Sequence, residues 1–228
     1  MRNIELVVFD MAGTVVNENN VVYKTLQKAI NNKGYLLTLD FVLEHGAGKE
    51  KHQAIKDILT EEEGSYISAL TNEIFQDFKQ LLEQEYQALE VTTYSGVEDL
   101  ITALRKSGIK VALNTGYDNN TAQLLLYKMK WKLGVHYDAL ITADDVKRGR
   151  PHPDMIFEAM EFLKVSDPTH VLKAGDSIID IEEGKNANCG ITVGVTTGAH
   201  TREQLASAKP TYVLNSLFDL KAILLGKK

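Results

Sequence analysis

Apolar residues recur along this chain with two different periods, and the change between them divides it into unlike parts. Val7-Val8-Phe9 is an unbroken apolar run that delivers Asp10 into a turn, as a parallel strand buried on both faces would. From about residue 17 to 90 the apolar positions fall three and four apart: Val22, Leu26 and Ile30 up to Gly34, then Ile55, Ile58 and Leu59, then Ile67, Leu70, Ile74 and Phe78 on to Leu81 and Leu82. That spacing predicts amphipathic helices packed as a bundle, with little strand signal. From about Val91 helices and apolar strands alternate: a helix around 100–104, strands at 110–113 and 139–142, a helix at 155–163, and strands at 171–174 and 191–195. The expected fold is therefore α/β, a doubly wound parallel sheet formed by 1–16 and 91–228 and interrupted by a helical domain over 17–90. Linkers near Val16–Glu18 and Glu90–Tyr94 would form its hinge, and Glu61-Glu62-Glu63 reads as a solvated helix junction.

The chemistry sits where the predicted strands end. Asp10-Met11-Ala12-Gly13-Thr14 follows the first strand, Thr115-Gly116 the second, and Gly175-Asp176-Ser177-Ile178-Ile179-Asp180 closes a later one. Between them Arg150 stands on a loop flanked by Pro151 and Pro153. One Asp-x-x-Gly-Thr turn is an ordinary strand end. Acid, hydroxyl, cation and acid pair in that order resemble the four signature motifs of the haloacid dehalogenase-like phosphohydrolase superfamily, over nearly the whole chain. The resemblance implies a Rossmann-like core under a helical cap, with Asp10 as the nucleophile that takes the phosphoryl group. It also implies Mg2+, held by the Asp10 carboxylate, the Ala12 carbonyl and Asp176, with Asp180 behind them or on a bound water. Thr115, the Gly116 amide and Arg150 would hold the remaining phosphoryl oxygens.

Ala12 departs from the superfamily's usual second aspartate, which protonates the leaving group. A positioned acid contributes about 10²–10⁴-fold, so its loss calls for another device. The phosphonoacetaldehyde hydrolase (phosphonatase) branch has alanine at this place and breaks a carbon–phosphorus bond through a lysine imine. Its cap motif of glycine, lysine and histidine matches Gly46, Lys49 and His52, and its arginine in the third motif matches Arg150. The resemblance thus makes Lys49 catalytic, with Gly46 and His52 near the substrate. Taken without that context, the same segment reads as a solvated loop and helix start. Met11, His45 and Asn20 replace the tryptophan, methionine and cysteine of that branch, so the carbon skeleton of the substrate stays open between phosphonoacetaldehyde and a related phosphonate. A phosphomonoester phosphatase with an idle Lys49 is the alternative, followed by a phosphate-binding protein without turnover.

Composition narrows partners more than function. The 228 residues are 44% hydrophobic and 25% charged, enough for one sizeable core and a smaller unit. A net charge of −6, from 25 basic and 31 acidic residues, argues against a nucleic-acid partner and leaves a small-molecule phosphonate or phosphate. The lone Cys189 excludes an intramolecular disulfide. With no secretory signal pattern and no membrane-length apolar run, the expected location is the cytoplasm, away from any membrane. A homodimer is compatible with all of this.

Overall fold

The computed structural model describes residues 3–65 and 67–226. Its strands are β1 (Leu6–Asp10), β2 (Val16–Asn17), β3 (Thr92–Thr93), β4 (Lys110–Asn114), β5 (Ala139–Ile141), β6 (Val171–Gly175), β7 (Ile191–Val195) and β8 (Tyr212–Leu214). Its α-helices are α1 (Val21–Asn31), α2 (Leu39–Gly46), α3 (Lys51–Glu63), α4 (Ser68–Ala88), α5 (Val97–Lys106), α6 (Asn119–Lys128), α7 (Asp154–Phe162), α8 (Ile178–Asn186), α9 (Arg202–Ser207) and α10 (Leu220–Leu225). Six strands form one parallel sheet in the order β5-β4-β1-β6-β7-β8. This is the α/β, Rossmann-like arrangement that the alternating pattern predicts.

Strand geometry explains why β1 is apolar throughout. Successive side chains point to opposite faces. Val7 and Phe9 join Val111, Leu113 and α5 residues such as Leu100 and Leu104 in one core layer. Leu6 and Val8 join Ala112 and the α7 residues Ile156 and Ala159 in the other. Both faces are covered, so all five residues of β1 are buried and the run cannot alternate with polar positions.

Helices α1 to α4 lie between β2 and β3 and pack on one another, α1 against α4 and α2 against α3. Val22, Leu26, Ile30 and Ile74 are fully buried in their interior, which is continuous with one face of the sheet. The two crossings into this helical unit run side by side, because β2 and β3 pair antiparallel with Val16 opposite Thr93. The periodicity did not mark α2, α8, α9, α10 or the short strands β2, β3 and β8. Helix α2 has only eight residues and takes its start from Thr38, whose hydroxyl accepts the Phe41 N–H at 3.2 Å. Strand β8 has three residues at the sheet edge, with no fully buried position to show in a hydrophobic pattern.

The topology fixes where chemistry can occur. β1 lies between β4 and β6, and the chain winds outward from it in both directions. A crevice therefore opens at the C-terminal end of β1, where the connections diverge. Asp10 ends that strand, level with Asn114 on β4. Among the described residues, no helix is long and apolar enough to cross a membrane.

Candidate active site

Asp10, Asp176 and Asp180 converge at this crevice, with ligand oxygens within 4.8 Å of one another. Each is placed by a different local device. The turn after Asp10 is closed by the Val15 and Val16 N–H groups, which donate to the Met11 carbonyl at 2.9 and 2.8 Å. Asp176 follows β6, and its carboxylate accepts the Ala199 N–H at 2.6 Å. A Cβ on Gly13 or Gly198 would strike that carboxylate, and Gly13 also needs its φ of +80°. Asp180 belongs to a capping box at the start of α8: it accepts the Ser177 N–H at 3.2 Å, and the Ser177 hydroxyl donates to it at 2.5 Å.

Arg150 reaches this cluster from its proline-flanked loop. Its Nη1 donates to Asp10 at 2.7 Å, its Nη2 to the Asn114 side chain at 2.7 Å and its Nε to Glu183 at 2.9 Å. Nε also lies 3.3 Å from Asp180. Arg148, two residues earlier, pairs instead with Asp154 at the surface. Thr115 is buried beside Asp10's neighbour Asn114, its N–H held by the Ile141 carbonyl at 3.0 Å and its hydroxyl accepting the Tyr117 N–H at 3.2 Å. Thr115 and Gly116 form the turn ahead of α6, a place suited to an anion.

Two buried partners, Lys173 and Glu183, were missed from the sequence. Lys173 Nζ donates to Asn114 at 2.6 Å and pairs with Asp180 at 2.9 Å and with Glu183 at 3.2 Å. A lysine inside the apolar run Val171-Leu172-Lys173-Ala174 was the visible signal, since a strand buried on both faces admits a charge only with partners. Glu183 lies three residues after Asp180 on the same face of α8, and its spacing carried that hint.

The electrostatics leave a deficit of positive charge. Four buried carboxylates (Asp10, Asp176, Asp180, Glu183) face two buried cations (Arg150, Lys173). Burial pushes Asp10 up to about 6, against the pull of Arg150. Burial, then the charges of Asp10 and Asp180, raise Asp176 well above the usual carboxylate range. Asp180 is the exception: burial opposes its charge, yet Arg150 and Lys173 hold it below its ordinary value. Asp10 and Asp176 are thus the carboxyl groups whose charge is least compensated by the protein, and their oxygens are of the kind that a hard divalent cation takes. Asp180, already committed to Arg150, Lys173 and Ser177, is suited to supporting that pair. Ala12 lies half-buried in the turn between Asp10 and Val16.

The loop from the helical unit lies directly over this cluster. The Gly48 carbonyl accepts from Arg150 Nη1 at 3.2 Å, and its N–H donates to the Tyr23 hydroxyl at 2.8 Å. A Cβ on Gly116 would come within 2.7 Å of the Lys49 carbonyl oxygen, so the loop backbone rests on the Thr115-Gly116 turn. Other expected residues have their side chains engaged elsewhere. Gly46 packs against Ile58 of α3. Lys49 Nζ pairs with Asp57 at 2.6 Å and is about a quarter exposed. His52 Nε2 bonds Asn72 at 2.8 Å, with its ring edge-on to Phe75. Lys51, not singled out by spacing, is the buried lysine of the loop.

Comparison with known proteins agrees with this geometry. A family model described as haloacid dehalogenase-like hydrolase matches residues 4–188. The chain is 31% identical to the phosphonoacetaldehyde hydrolase of Bacteroides fragilis (strain YCH46), over 99% of this chain and 90% of that protein. It is 28% identical to the pyrophosphatase PpaX of Bacillus mycoides, over 97% of each. A phosphonoacetaldehyde hydrolase-like protein from Oleispira antarctica superposes with a TM-score of 0.84 at 23% identity, covering 98% of this chain and 92% of that one, which establishes the shared fold.

Proposed function

The chain belongs to the haloacid dehalogenase-like hydrolase family, and from that premise we propose that it cleaves the carbon–phosphorus bond of phosphonoacetaldehyde or a related aldehyde phosphonate. The observation that carries this reading is the absence of an acid at Ala12 beside the buried carboxylate cluster, beneath a loop whose backbone rests on Gly116 and which carries Lys49 and Lys51. Asp10 supplies the nucleophilic oxygen, oriented by Arg150. Thr115, the Gly116 N–H and Arg150 hold phosphoryl oxygens during transfer. Bound between Asp10, the Ala12 carbonyl and Asp176, Mg2+ would offset the repulsion between carboxylate and phosphoryl group. Without an acid at position 12, the leaving carbon needs an electron sink, which a protonated imine on a loop lysine provides. Helices α1 to α4 act as a cap that opens about the paired β2 and β3 segments, because the Gly48–Lys49 backbone rests on Gly116 and Arg150 and must lift off them to uncover the crevice.

The test is phosphate release from phosphonoacetaldehyde and from p-nitrophenyl phosphate, each with Mg2+ and with excess chelator. The expected result is Mg2+-dependent phosphate from the phosphonate, at a higher kcat/KM than from the ester. A second reading, a phosphatase or pyrophosphatase of small molecules, draws on the similarity to PpaX. Turnover of esters or pyrophosphate with none of the phosphonate would establish it in place of the first.

A further inference from the structure

We propose that Lys51, rather than Lys49, is the amine that the loop presents to the substrate carbonyl, an assignment that rests on the phosphonate reading above. Lys51 is the first residue of α3, where Glu50 caps the helix by accepting the His52 and Gln53 N–H groups. Only 6% of it is exposed. Its Nζ lies 5.2 Å from the ring centroids of both Tyr23 and Tyr117 and donates to the Lys49 carbonyl at 2.6 Å. That carbonyl rests on Gly116, and Tyr117 is the next residue, so the ammonium sits against the turn that would hold the phosphoryl group. The seat between the two rings takes one ammonium, and Lys51 fills it.

The surroundings suit an amine nucleophile. Lys51 has no direct carboxylate partner among its described contacts; two aromatic faces and a carbonyl stabilise its charge only partly. Burial lowers it to about 8, although the charges of Glu50, Asp10 and Glu18 act to keep the proton. A neutral fraction is therefore present near neutral pH. Lys49 differs in solvation and pairing: it is about a quarter exposed and paired with Asp57, which Gln53 also bonds at 2.6 Å. Lys51 also borders a cavity of about 580 Å³ that runs from Phe78, Leu82 and Tyr86 of α4 to Gly116 and Tyr117, so there is open space beside the amine next to the Thr115-Gly116 turn.

The step balances with water alone. Neutral Lys51 adds to the aldehyde carbon, and the carbinolamine takes a proton from solvent on its hydroxyl and loses water to give a protonated imine; imine hydrolysis later returns that proton to solvent. The phosphoryl group passes to Asp10, and the electron pair of the broken C–P bond forms the enamine C=C as the imine nitrogen regains its lone pair. The enamine then takes a proton on carbon, and water releases the aldehyde and free Lys51 while a second water hydrolyses the acyl-phosphate.

Borohydride trapping of the wild-type protein with Mg2+ and phosphonoacetaldehyde, followed by peptide mapping, tests the assignment. The expected result is a reduced adduct on Lys51 that persists in Lys49→Arg. Lys51→Arg should show no adduct there and roughly 10²–10⁴-fold slower phosphate release, the range for losing one catalytic group. An adduct on Lys49 that survives in Lys51→Arg would overturn the proposal and leave the phosphonate reading intact. No adduct on any lysine, with ester hydrolysis and no phosphonate cleavage, would overturn both. The wild-type label decides even if Lys51→Arg does not fold.

Discussion

Arg150 and Lys51 are both buried cations at the same crevice, but they are held in opposite ways. Arg150 is surrounded by Asp10, Asp180, Glu183 and Asn114, each at hydrogen-bonding or ion-pair distance. Lys51 is held by two rings and a backbone carbonyl. A cation bound on all sides by carboxylates keeps its proton and fixes geometry. One that is desolvated without such partners gives up its proton more readily and is free to react. The sheet edge thus supplies a rigid charged frame, and the loop from α2 to α3 supplies an adaptable group above it.

The largest effect should come from breaking the frame. Arg150→Ala leaves Asp10, Asp180 and Glu183 short of a buried counter-charge, a loss of about 3–5 kcal/mol. Urea unfolding should show it, with phosphate release abolished in the same protein. Unchanged stability would mean that Lys173 alone neutralises the acids.

Ala12→Asp sharpens the contrast between frame and loop. It adds a carboxylate beside the crowded Asp10 and Asp176, so phosphonate cleavage should fall while any weak ester hydrolysis rises. The ratio of the two kcat/KM values is the readout. Improvement of both would show that alanine is not tied to amine chemistry.

The smallest effect concerns Glu18, a buried carboxyl whose charge acts on Lys51. Burial raises its carboxyl from the ordinary 4.5 to about 7, although it accepts the Val22 N–H at 3.1 Å. A raised acid favours the protonated fold, so the stability it contributes is complete below about pH 4.5 and is lost as pH rises through 7. The loss is at most about 3 kcal/mol. Glu18→Gln should therefore unfold at higher urea than wild type at pH 8 and match it near pH 5. Equal midpoints at both values would show that Glu18 stays ionised at no cost.

How much of this was legible in the sequence depended on what sets each feature. Strand ends were legible, because an apolar run buried on both faces has a sharp boundary, and Asp10, Thr115 and Asp176 stand at such boundaries. Arg150 was legible through its prolines. The loop was not, because Lys49 precedes α3 and Lys51 begins it, and spacing alone does not fix the direction of a side chain at that junction. The φ of +73° at Gly48 and the Glu50 cap set that direction. Gly46 illustrates the same limit: its lack of a side chain serves packing against Ile58. For Lys173 and Glu183 the local pattern shows only that a buried charge needs a partner; which partner it meets depends on contacts of β6 with β4 and α8, which sequence neighbours do not encode.

Phosphate release from phosphonoacetaldehyde by wild type and by Asp10→Asn, side by side with Mg2+, is the most direct measurement. Asparagine preserves the shape and removes the carboxylate proposed as both nucleophile and metal ligand. Wild type should release one phosphate per aldehyde formed, and Asp10→Asn, folded by circular dichroism, should release none above the uncatalysed rate. Undiminished release by Asp10→Asn would contradict an aspartate nucleophile in this crevice.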